Sequence, residues 1–99
     1  MCKKELFNEV LGKVCELTEL SVEKVCKSNL EECVDARYLL VKALYKLGFT
    51  DTEVSELIHH TRQSIGYLRN NYKKSNKWIL ANNWKAICKW LEDNYLSNK

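Results

Sequence analysis

Apolar residues recur along this chain at spacings of three and four, the period of helices that turn one side to a core. Leu6, Phe7, Val10, Leu11, Val14 and Leu17 predict a first helix from about Lys3 to Leu17. Thr18, Glu19 and Leu20 link it to Ser21, a suitable N-cap for a short helix carrying Val22, Val25 and Cys26. A longer helix from about Leu30 to Leu47 turns Ala36, Leu40, Ala43, Leu44 and Leu47 to the core, with Tyr38, Val41 and Tyr45 widening the stripe. Asn29 is its expected cap, and Glu31, Glu32 and Asp35 suit its positive end. Gly48 supplies the left-handed stop. Two short helices follow within residues 50–74. Ser75, Asn76, Asn82 and Asn83 then predict a break or irregular stretch before a last helix from about Trp84 to Tyr95. That helix puts Trp84, Ile87, Cys88, Leu91 and Tyr95 on one face. No run shows strand alternation, so the expected fold is all-α, a compact multi-helix bundle in a single domain over residues 1–99.

Residues 50–74, TDTEVSELIHHTRQSIGYLRNNYKK, carry the most specific pattern. They predict a helix-turn-helix. Thr50 and Glu53 make a capping box for the first helix, and Thr61 caps the second. Val54, Ile58, Ile65 and Leu68 lock the two together, and Ser55 is small where they cross. His59 falls at a turn position that favours positive φ, which His tolerates better than most residues. In this register Thr61, Arg62, Gln63, Gly66, Tyr67 and Asn70 face a DNA major groove. Arg suits paired hydrogen bonds to guanine and Gln to adenine. Arg69, Lys73 and Lys74 suit phosphates. Gly66 has two readings: close approach to DNA, or to a neighbouring helix.

Charge sharpens this picture. Through Phe49, eight basic residues balance eight acidic ones. From His59 to Lys89 stand Arg62, Arg69, Lys73, Lys74, Lys77, Lys85 and Lys89 with no Asp or Glu among them. The stretch from Arg62 to Lys77 therefore points to a polyanion partner, whereas Lys85 and Lys89 read equally well as solvated surface. The five cysteines form no C-x-x-C pair, and most fall on apolar helical positions, which favours reduced thiols in a cytoplasmic protein over a zinc site. His59 and His60 lack acid or Cys partners at metal spacing; His60 is expected near a phosphate instead. No nucleophile–base pair and no Gly-rich phosphate loop is legible, so neither an enzyme nor a bound cofactor or metal is expected. No stretch approaches the roughly 18 apolar residues of a membrane span. Trp84 reads as core, and Trp90, off the apolar stripe, as a partner or dimer contact.

From about Val14 to Lys74 the order of features resembles the C-terminal DNA-binding domain of the bacterial replication initiator DnaA. VCELTELSVEKV resembles its opening helix, turn and second helix, DARYLLVKAL its long helix, and TDTEVSELI its scanning helix. HHTRQSIGYLRNNYKK takes the place of its signature and recognition helix. The resemblance implies a DnaA-like core over residues 14–74 and a C-terminal helical extension over 75–99. It sets Thr61 at the family's aspartate, Arg62 at its base-reading histidine, Gln63 and Ser64 at its two threonines, and Arg37 at a phosphate-holding arginine. The chain departs from the pattern at that histidine–threonine pair. It also departs at the basic loop, replaced here by SNLEEC, where Glu31 and Glu32 would repel phosphate if turned toward it. The expected partner is double-stranded DNA, in replication or transcription control, with a protein partner or homodimer through the last helix. The alternative is a protein-interaction module that keeps the fold without binding DNA.

Overall fold

The computed structural model describes residues 2–71 and 78–96. Six α-helices account for most of them: α1 Lys3–Thr18, α2 Val22–Lys27, α3 Glu31–Lys46, α4 Asp51–Ile58, α5 Arg62–Asn71 and α6 Trp78–Leu91. A π-helical segment, Glu92–Leu96, continues α6. There is no strand among the described residues. The protein is an all-α bundle, and its radius of gyration of 12.6 Å is that of a compact chain of this length.

Local chemistry sets most helix ends. The Ser21 hydroxyl accepts from Lys24 N at 3.2 Å, capping α2 as its sequence predicts. Thr50 Oγ1 accepts from Glu53 N at 3.1 Å while Glu53 Oε1 accepts from Thr50 N at 2.9 Å, closing the capping box of α4. Gly48, at φ 97°, turns the chain out of α3 in a conformation that costs glycine little. The start of α3 differs from expectation. Leu30, not Asn29, is its N-cap, without a side-chain bond. The Ser28 hydroxyl instead accepts from Leu30 N at 3.2 Å.

The centre of the bundle is α3, which buries Leu39, Leu40, Val41, Ala43 and Leu44 almost completely and packs against every other helix. Phe7, Val10, Leu11 and Val14 of α1 and Val25 and Cys26 of α2 close the core on one side. Val54, Ile58, Ile65 and Leu68 close it on the other. Two residues expected inward lie outside: Val22 and Tyr45 are each 53% exposed.

The C-terminal helix begins earlier than its sequence suggests. Asn82 and Asn83 do not interrupt it. Asn is only a few tenths of a kcal/mol to ~0.7 kcal/mol worse than Ala in a helix, and burial of Leu80, Ile87 and Leu91 along one stripe outweighs that penalty. This helix lies on α3 and α1. Trp84 is half-buried against the core. Trp90 is half-buried too, edge-on to Tyr95 with ring centroids 5.3 Å apart and beneath the Lys13 ammonium. The Tyr95 hydroxyl bonds Glu9 of α1. Burial, then that bond, pushes its pKa up to about 12.

Candidate nucleic-acid interface

The candidate interface centres on α5, which packs on α4. His59 ends α4 at φ 61°, as expected for this turn, and its backbone N–H bonds the Ser55 carbonyl. His60 N also donates to that carbonyl at 3.1 Å. Ser55 itself is half-buried, its hydroxyl donating to the Thr52 carbonyl at 2.8 Å. Thr61 Oγ1 accepts from Ser64 N at 3.1 Å, starting α5 as its sequence predicts. Val54, Ile58, Ile65 and Leu68 are all buried, which fixes the register of the pair.

Ile65 and Leu68 are the buried apolar residues of α5. With about 100° between successive residues, the line opposite them runs through Gln63, Tyr67 and Asn70. All three are exposed, as are Thr61, Arg62 and Ser64. Tyr67 keeps 56% of its surface in solvent. Gly66 is half-exposed, and a Cβ there would meet Asp51 Oδ2 at 3.6 Å, an ordinary contact. Close helix packing therefore does not demand this glycine.

Two arginines expected to meet phosphate are engaged within the protein. Arg69 Nε and Nη2 donate to the two carboxylate oxygens of Asp51 at 2.9 and 2.8 Å, and its guanidinium lies 4.4 Å from the Tyr45 ring centroid. It joins the end of α5 to the start of α4. The Arg69 hydrogen bond is the main reason that the Asp51 carboxyl sits below its ordinary pKa; burial opposes it, and the Arg69 and Arg62 charges add to it. Arg37 is 4% exposed. Its Nε donates to the Val25 carbonyl at 2.9 Å and its Nη2 to the Ser28 carbonyl at 2.6 Å, binding the end of α2 to α3. His60, expected near phosphate, hydrogen-bonds the Cys26 carbonyl through Nε2. In each case the fold satisfies a donor that the sequence offered to a ligand.

Arg37 still borders a shallow cleft of about 480 Å³ with Asn29, His60, Thr61, Gln63, Ser64 and Tyr67. The fold thus gathers Arg37, Thr61, Gln63, Ser64 and Tyr67 of the expected set around one depression beside α5, and leaves Arg62, Gly66, Arg69 and Asn70 outside its lining. Asn29 is the member that sequence reading missed, because its signal was that of a helix cap. Lys73, Lys74 and Lys77 lie outside the described residues.

The acidic start of α3 divides by helical phase. Val34 and Arg37 border the cleft beside α5, whereas Glu32, Asp35, Ala36 and Leu39 line a different cavity against α1 and α6. Glu32 is therefore turned away from α5. Of the cysteines, Cys26 and Cys33 are buried, Cys15 and Cys88 half-buried and Cys2 exposed. Burial raises the thiol pKa of Cys15 and Cys26, as expected of inert, protonated thiols. No group of three or more His, Cys, Asp or Glu with metal-binding geometry occurs among the described residues. No described helix is long and apolar enough to cross a membrane. Comparison with protein-family models, curated proteins and solved structures gives no match.

Proposed function

We propose that this chain is a small, non-enzymatic DNA-binding protein that reads duplex DNA with α5 as the recognition helix of a helix-turn-helix. The observation that carries this reading is the asymmetry of α5. It commits Ile65 and Leu68 to the core and leaves Arg62, Gln63, Ser64, Tyr67 and Asn70 in solvent. A recognition helix needs that division: an inner side fixed by packing and an outer side of hydrogen-bonding groups. Glu32 turns away from α5 and is removed from the approach of phosphate, whereas Glu31, three residues before Val34, stays on the cleft side of α3. The resemblance to the DnaA C-terminal domain points to replication or transcription control as the setting.

Arg62 and Gln63 read bases in this proposal, and Arg69 and Arg37 work through the fold. Selection from a random duplex library tests it directly: a sequence motif should emerge, with affinity falling steeply as salt rises. One bidentate contact is worth about 1–3 kcal/mol of discrimination. Arg62→Ala should therefore cut preference at one base pair by about 5- to 150-fold while leaving the melting temperature unchanged. No enrichment and no retention of duplex at low salt would remove the proposal.

A further inference from the structure

A second surface lies across α3 from α5. The start of α3, the end of α1 and the start of α6 enclose a cavity of about 550 Å³, within the roughly 300–1,000 Å³ range of clefts that bury a ligand. Leu17, Leu20, Trp78 and Ile79 form the accessible part of its wall above buried Leu39, and Glu19 and Glu32 stand on it with no basic residue among the described residues that line it. Trp78 is 71% exposed and Ile79 59% exposed. Adjacent large exposed apolar side chains beside a cavity mark a candidate contact surface, and tryptophan is among the side chains enriched at the energetic centres of interfaces.

We propose that this cavity docks an amphipathic helix of a partner protein, one bearing apolar residues at helical spacing flanked by Lys or Arg. Charge complementarity selects the occupant. Apolar anchors enter between Leu17, Leu20 and Ile79, and flanking cations meet Glu19 and Glu32, with an Arg guanidinium free to stack on the exposed Trp78 ring. The described residues offer no strand edge for a partner to extend, and an apolar depression between helices suits an amphipathic helix laid into it. The site does not rest on DNA reading, because the residues that line it share none with the cleft beside α5.

The test uses the full chain and a synthetic amphipathic helix of Leu, Ala and Arg, with a second peptide in which Glu replaces Arg. The Arg peptide should bind, and Trp78→Ala should weaken it by about tenfold or more by calorimetry. Glu19→Lys combined with Glu32→Lys should reverse the preference, binding the Glu peptide better than the Arg peptide. These positions are exposed, and melting curves check that each variant is folded. Equal binding of the two peptides by the native chain, or an affinity untouched by Trp78→Ala, would overturn the proposal. So would sedimentation showing a self-association that Trp78→Ala abolishes, because the occupant would then be a second copy. Duplex retention by Trp78→Ala, which leaves the net charge unchanged, should stay as it is, so failure of DNA reading and failure of peptide docking are separate results.

Discussion

His59 holds a backbone conformation that most side chains avoid, with φ at 61° and ψ at 43°. The left-handed region costs an L-residue roughly 1–2 kcal/mol, and glycine almost nothing. His59→Val should therefore lower unfolding stability by about that 1–2 kcal/mol, whereas His59→Gly should hold or raise the melting temperature. Equal melting of the two variants would mean that the turn is not strained. Arg37 makes a second case at this scale. Replacement by Met keeps the length and the apolar stem but strips hydrogen bonds from the Val25 and Ser28 carbonyls. An unsatisfied buried group costs about 1–3 kcal/mol, so Arg37→Met should shift the urea midpoint by a corresponding amount. DNA affinity per folded molecule should stay as it is; a loss larger than the fall in folded fraction would return Arg37 to the role of phosphate contact.

Between elements, the Asp51–Arg69 pair adds an ionic tie to the apolar packing of α5 on α4. Its pKa direction fixes the pH dependence. Asp51 is depressed in the folded chain, so the pair's contribution is fully present above the ordinary aspartate range and is lost as pH falls through the lower folded value. Asp51→Asn should cost about 1 kcal/mol at neutral pH, and the gap between native and variant should close under acid. A gap that is constant with pH would show that the pair adds no ionic stabilisation. This pair also marks the boundary of what the sequence makes legible. Capping at Thr50 and Thr61, the turn at His59 and the buried positions Val54, Ile58, Ile65 and Leu68 depend on neighbours within a turn or two, and local spacing foretells them. Asp51 and Arg69 stand 18 residues apart, His60 and Cys26 stand 34 apart, and no local pattern links either pair. The continuity of α6 through Asn82 and Asn83 escapes the sequence for a related reason: its cause is burial of Leu80 against other helices, which outweighs local propensity.

For the molecule as a whole, α6 is part of the core and not an appendage. Burying a Leu or Ile side chain is worth about 1.5–3 kcal/mol, so Leu80, Ile87 and Leu91 together represent about 5–9 kcal/mol. That is comparable with the 5–15 kcal/mol that holds an ordinary domain together. A chain ending after Ser75 should lose cooperative thermal unfolding, not merely melt a few degrees lower; an unchanged transition would show that α1 to α5 fold unaided. The opposite holds for the outer side of α5. Because Ile65, Leu68 and the Asp51–Arg69 pair hold this helix, Gln63, Tyr67 and Asn70 contribute almost nothing to the core. Those three positions can be randomised together among residues other than Pro and Gly at little cost in folding, Asn70 giving up one exposed hydrogen bond from Arg69 Nη1. On the proposed DNA reading the scaffold is open to retargeting, because the outer positions of α5 can change while the architecture beneath them stays fixed.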